Sequence, residues 1–233
     1  MMRYFSQKLI EFWHSQLKRQ VTSLISTIGI LRIVSCLPII GIVLYISDQV
    51  LKQEAFTFDQ AILLWIHSFS NPTLDWIMYY ITRMNDPDKV LAISMTAVAI
   101  MLWRRYYQEA KILTIISFGT LLLSFGLKLV FAKPRPTLWQ SAIKETTFSY
   151  PSGHALVAIA IYGFLAYVLA TRWTQFSWLI YLLAVSGIGA IGFSRLYFGV
   201  HCVTDIIGGY GMGYLWLTFW IAILKLQQKK YKT

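Results

Sequence analysis

Three short stretches of this sequence carry the residue types that phosphoryl chemistry needs. In the last of them, Ser194-Arg195 is followed by His201 and then, four residues on, by Asp205. A carboxylate beside a histidine fixes its tautomer and stabilises the imidazolium, leaving the other ring nitrogen free to attack or bind. The i, i+4 spacing places the two on one face if that segment is helical. The middle stretch, Pro151-Ser152-Gly153-His154, stands directly before a long apolar run. A helix that starts there offers free N–H groups and the positive end of its dipole to an anion, with His154 placed to point at whatever binds. The first stretch holds Lys128, inside the apolar run S-F-G-L-K-L-V-F, and Arg135 in A-K-P-R-P. A charge deep in a membrane span costs about 2.5–3.5 kcal/mol on insertion scales, so such a lysine is functional, paired or snorkelling. Pro134 and Pro136 end the helix that carries it.

Together these stretches supply three cations (Lys128, Arg135 and Arg195), a helix N-terminus, two histidines and one aspartate. That inventory suits phosphoryl transfer, in which the protein mainly supplies positive charge and position. The histidines divide into an attacking His201 held by Asp205 and a His154 that protonates the leaving oxygen. Two histidines and one aspartate among three cations make a poor metal site, because the cations would repel the ion. Neither a metal nor a cofactor is expected.

The elements that must position these residues are membrane helices. The chain has 233 residues, of which 57% are hydrophobic and 13% charged, against about 25% charged in an ordinary soluble domain. Long apolar stretches predict an all-α, polytopic membrane protein with six spans, at about 28–47, 88–104, 111–131, 153–171, 177–194 and 203–225. Residues 1–27 mix apolar and basic side chains at helical spacing and read as an amphipathic segment on an anionic leaflet. Residues 28–225 form the membrane domain and 226–233 a basic tail. Between the first two spans, 58–69 and 73–82 read as short interfacial helices separated by Asn71-Pro72. Cys36 and Cys202 read as small hydrophobes with no disulfide framework, and the N-terminus shows no cleavable signal pattern.

The net charge of +11 would suggest nucleic acid in a soluble protein. Here its location decides its meaning. Thirteen of the 21 Lys and Arg fall on one face, in the N-terminal segment, at Arg32 near the inner end of the first span, in the 2–3 and 4–5 turns and at the C-terminal end, opposed only by Glu11 and Glu109. The positive-inside rule then places both termini in the cytoplasm. The surplus is topological and calls for no nucleic-acid partner. With six spans, all three chemical stretches reach the outer face at one level, so the site is expected on the extracytoplasmic side.

Lys128-x6-Arg135-Pro136, Pro151-Ser152-Gly153-His154 and Ser194-Arg195-x5-His201-x3-Asp205 resemble the three-part signature of the type 2 phosphatidic acid phosphatase (PAP2) superfamily. The signature covers residues 128–205, and the six-span layout extends the likeness over most of the chain. The resemblance implies a helical core, no metal, and a covalent phosphohistidine at His201 that water hydrolyses. It implies that Asp205 orients His201 and His154 protonates the leaving group. Lys128, Arg135, Arg195, Ser152 and the Gly153 backbone would hold the phosphate oxygens.

The expected function is hydrolysis of a lipid phosphate in the cell membrane, on phosphatidylglycerophosphate, phosphatidic acid or undecaprenyl pyrophosphate. A lateral lipid entrance partly roofed by residues 55–86 would fit. The same residues would serve a phosphotransferase that passes phosphate to another lipid or a glycan. A third reading is a silent lipid-binding or transport protein, although both histidines are present. The sequence gives no oligomeric state, since no stripe of small residues stands out.

Overall fold

The structure, a computed structural model, describes residues 30–54 and 56–230. The expected amphipathic segment 1–27 lies outside the described residues, as do the last three residues of the tail. Every regular element among the described residues is helical. In chain order these are α1 (Ile30–Leu51), α2 (Thr57–His67), α3 (Pro72–Arg83), α4 (Pro87–Trp103) and α5 (Tyr107–Phe131). They continue as α6 (Gly153–Arg172), α7 (Ser177–Tyr197) and α8 (Val203–Lys230).

Five of them, α1, α5, α6, α7 and α8, are long and apolar enough to cross a membrane. The expected second span, α4, is apolar but has 17 residues, a length of about 25 Å against a hydrocarbon core of about 30 Å. Several helices outrun their expected bounds. α1 continues to Leu51 with Pro38 inside it, α5 begins at Tyr107 rather than 111, and α8 runs on to Lys230. The two short helices of the 49–86 region appear as α2 and α3, close to where the Asn-Pro punctuation put them.

Local signals account for the ends that matter to the site. Asn71 accepts at Oδ1 from the Leu74 N–H at 3.0 Å and Pro72 opens α3, a standard N-terminal arrangement. Pro87 likewise opens α4. α5 closes at Ala132 in the left-handed region, φ +44°, with its N–H donating to the Lys128 carbonyl, and Pro134 and Pro136 prevent any continuation. Ser152 caps α6 by accepting from the Ala155 N–H at 3.4 Å.

α6 is the enclosed helix of the bundle. Ala160, Ile161 and Phe164 pack with Ile112, Leu113 and Ile116 of α5 and Leu217, Ile221 and Leu224 of α8 in one buried cluster. By contrast α1, α4 and α7 turn large apolar side chains outward, including Leu37, Leu44, Met95, Trp103, Leu183 and Val185, as lipid-facing helices do. Two glycines let α8 approach α6. A Cβ at Gly209 would stand 2.6 Å from the Ser152 carbonyl oxygen, and one at Gly213 would stand 2.7 Å from that of Leu156. The sequence reading found no small-residue stripe, yet Gly209 and Gly213 form one, spent on contact within the chain. That contact carries the Ser152 N–H to the Asp205 carbonyl at 3.1 Å, which locks the start of α6 to the start of α8.

Candidate active site

The site lies where α5, α6, α7 and α8 end at one level. His201 sits in the turn between α7 and α8, outside both helices, so its meeting with Asp205 is not the shared helix face that the spacing suggested. Asp205 is the third residue of α8 and turns back over the helix start, where Oδ2 accepts from the Cys202 N–H at 2.9 Å. This is one half of a capping box, and it brings Oδ2 to 3.5 Å from His201 Nδ1. Asp59 of α2 completes the cap by accepting from the Thr204 N–H at 3.1 Å and its hydroxyl at 2.6 Å.

Ser149 stands between the pair. Its hydroxyl donates to Asp205 Oδ2 at 2.5 Å and lies 3.3 Å from His201 Nδ1. Lys133 donates to Asp205 Oδ1 at 2.7 Å. On the other side of the ring, Arg135 Nη1 lies 3.2 Å from His201 Nε2. An arginine only donates, so Nε2 is the acceptor nitrogen and the ring proton sits on Nδ1, toward Ser149 and Asp205. Burial pushes the His201 pKa down to about 4, more than Asp205 restores. The imidazole is therefore neutral at pH 7, with its Nε2 lone pair turned toward the cations and covered by Arg135.

The cations are tightly held. Arg135 Nε donates to the Thr147 carbonyl at 2.8 Å and Nη1 to the Val200 carbonyl at 2.7 Å. Lys128 reaches along α5 to the Thr147 hydroxyl and the Phe148 carbonyl, both at 2.8 Å. Arg195, 1% exposed on α7, donates through Nη1 to the Thr82 hydroxyl at 2.8 Å and through Nη2 to Glu145. Glu145 also faces Arg135 Nη2 at 3.4 Å. Burial works against its charge, but Arg195 and Arg135 outweigh it and hold its carboxyl below the usual range.

His154, in the first turn of α6, approaches from the opposite side. Its Nε2 is 3.7 Å from Asp86 Oδ1, and its carbonyl accepts from Asn85 Nδ2 at 3.1 Å. It lines a cavity of about 590 Å³ together with Lys128, Glu145, Gly153 and Arg195. From this polar end the cavity runs between α4 and α5 along Val90, Leu91, Ser94, Leu121 and Phe125. Leu91, Leu121 and Phe125 are also exposed on the outer surface of the bundle, so the apolar end opens sideways. Tyr79, Thr82, Asn85 and Asp86 roof the polar end.

The structure thus gathers Lys128, Arg135, Ser152, Gly153, His154, Arg195, His201 and Asp205 in one place. Lys133, Ser149, Glu145, Asp86 and Asp59 went unnoticed in the sequence as supports of the site. Lys133 had a signal, because it lies two residues before Arg135 in the same proline-stiffened exit. Ser149 stands one residue before Y-P-S-G-H. Glu145 and Asp86 meet the site only through tertiary contact, and no spacing rule finds them. Among the described residues no group of three or more His, Cys, Asp or Glu is arranged to hold a metal ion.

Comparison with known proteins shows the family of this chain. The profile of the PAP2 superfamily matches residues 108–229. The chain is 31% identical over 161 residues to phosphatidylglycerophosphatase B of Bacillus subtilis (strain 168), covering 67% of this chain and 78% of that protein. It is 29% identical over 161 residues to an undecaprenyl-diphosphatase of Sulfolobus acidocaldarius, covering 66% of this chain and 70% of the relative. Its fold is similar to the crystal structure of the transmembrane PAP2-type phosphatidylglycerolphosphate phosphatase from Bacillus subtilis. The TM-score is 0.73 at 25% identity, over 82% of this chain and 96% of the other. The Aquifex aeolicus LpxE structure shares the fold, with a TM-score of 0.58 at 20% identity, over 74% and 96% of the two chains.

Proposed function

The chain belongs to the PAP2 superfamily of phosphatases, and on that premise we propose that it removes the terminal phosphate of a membrane lipid through a phosphohistidine on His201. The observation that carries this reading is the cavity, which joins a cluster of cations and His154 to an apolar groove open to the side. A headgroup phosphate fits the polar end and an acyl or prenyl chain fits between α4 and α5. Phosphatidylglycerophosphate stands first among the candidate substrates, ahead of phosphatidic acid and undecaprenyl pyrophosphate, because a curated relative and a solved neighbour both bear that activity in their names.

In the proposed reaction the His201 Nε2 lone pair attacks phosphorus as the bond to the leaving oxygen breaks, and His154 gives that oxygen its proton. Asp205, through Ser149 and the His201 Nδ1–H, stabilises the positive ring that forms. Arg135, Arg195, Lys128, Ser152 and the Gly153 N–H hold the non-bridging oxygens as charge shifts onto them. Water then attacks phosphorus, His154 takes its proton, and the N–P bond breaks to return a neutral His201. α4 serves as the sixth span, both termini lie in the cytoplasm, and the site faces outward.

Phosphate release tests this reading. Purified protein in neutral detergent, with no acceptor added, is expected to liberate inorganic phosphate from the three lipids and to favour them over a short-chain soluble phosphate. Release that depends on an added lipid or glycan acceptor would make the protein a phosphotransferase. Equal rates on lipid and soluble phosphates would remove the lateral groove from the account.

A further inference from the structure

Glu145 occupies the two arginines that the proposed reaction assigns to the substrate phosphate. Its two oxygens are divided between the two arginines: Oε1 accepts from Arg195 Nη2, and Oε2 faces Arg135 Nη2 at 3.4 Å. Arg135 in turn covers the His201 Nε2 lone pair at 3.2 Å. His201 is 1% exposed and does not line the cavity, whereas Glu145 does. Contacts therefore run from the cavity through Glu145 and Arg135 to the nitrogen proposed to attack. Glu145 is an incomplete partner as well, because buried Arg195 keeps an Nε with no acceptor. Nearby acids are engaged elsewhere, Asp205 with Lys133 and Asp86 with Arg83, which leaves Glu145 as the one that bridges both arginines.

We propose that Glu145 is a specificity-determining residue, a built-in anionic competitor that a terminal phosphate can displace from the two arginines and a phosphodiester cannot. The inference rests on the reading above, in which Arg135 and Arg195 hold the substrate phosphate. A phosphodiester headgroup carries a single negative charge, the same as the carboxylate, and competes against a group tethered in place at high effective concentration. A terminal phosphate carries about −1.5 to −2 at pH 7 and has three oxygens to share. It can satisfy both guanidinium groups and also reach Arg195 Nε, in the bidentate, charge-assisted contacts that arginine forms best. An enzyme embedded in a bilayer is surrounded by phosphodiester lipids in large excess, and this competition would keep them off the nucleophile.

The test uses the full chain in neutral-detergent micelles, with orthovanadate and phosphatidylglycerol as competitors of the hydrolysed lipid. In wild type, vanadate inhibits and phosphatidylglycerol has little effect. In Glu145→Gln the vanadate Ki falls by about tenfold or more and phosphatidylglycerol becomes a competitive inhibitor. An unchanged or higher vanadate Ki, with phosphatidylglycerol still inert, would overturn the inference and leave Glu145 as a fixed brace for the arginines. Failure of vanadate to inhibit wild type would instead sink the phosphate-site reading beneath it. Should Glu145→Gln not fold, wild type decides alone. Its Ki for dimethyl phosphate should exceed that for methyl phosphate by about a hundredfold; near-equal values would refute the competitor role.

Discussion

The two histidines of the site are held in opposite ways. His201 is 1% exposed and its partner Asp205 is fully buried. That carboxylate also takes a lysine, a serine hydroxyl and a backbone N–H, while Arg135 pins the far side of the ring. His154 has one carboxylate neighbour, Asp86, at 3.7 Å; its buried Nε2 makes no hydrogen bond, and its surroundings line the cavity. A nucleophile must meet phosphorus at a fixed angle, and one ångström of misplacement is costly. A general acid must follow a leaving oxygen whose position changes with the substrate. In the proposed mechanism, rigid capping geometry suits His201 to the first task, and a loosely tethered ring suits His154 to the second.

Mutations can break or sharpen that contrast. His201→Ala is expected to cost at least about 10³-fold in kcat, since a nucleophile is not replaced by its neighbours. Asp205→Asn follows at about 10³-fold, with the protein still folded, because the amide cannot stabilise the imidazolium. Ser149→Ala removes one hydrogen bond to a charged partner, worth about 1.5–3 kcal/mol, or roughly a ten- to hundredfold slower reaction. Asp86→Asn should be mildest, below about tenfold, if His154 is the mobile half of the pair. Equal losses from Asp205→Asn and Asp86→Asn in steady-state assays would erase the distinction between rigid and loose histidines.

A smaller effect concerns stability. The His201 pKa falls from its ordinary value near 6.5 to about 4 on burial, so between those limits the unfolded chain binds the extra proton. Stability should therefore hold above pH 6.5 and decline as the pH drops from 6.5 toward 4. His201→Gln should flatten that decline in thermal melts across the range.

The sequence made the residues that converge at the site more legible than the ones that brace them. Lys128, Arg135, Ser152, Gly153, His154, Arg195, His201 and Asp205 each belong to a local pattern or stand at an unexpected charge in an apolar run, and all of them converge. The helices were legible too, from apolar length and from Pro and Asn punctuation. What escaped was tertiary. Glu145 sits in a loop with no period, and Asp59 and Asp86 come from the region between the first two spans, whose role spacing alone does not reveal. Asp59 caps the helix that carries Asp205, and Asp86 faces His154, so that region braces both halves of the site. The i, i+4 rule gave the right pair for the wrong reason, since His201 and Asp205 meet through a cap rather than along a helix face.

The central claim is that His201 carries the phosphoryl group. Brief incubation of His154→Ala protein with ³²P-labelled lipid phosphate, quenched in base to preserve phosphohistidine, tests it most directly. Label confined to the peptide containing His201, and lost in His201→Ala, is the predicted result. Label on another residue, or hydrolysis at the wild-type rate in His201→Ala, would contradict it.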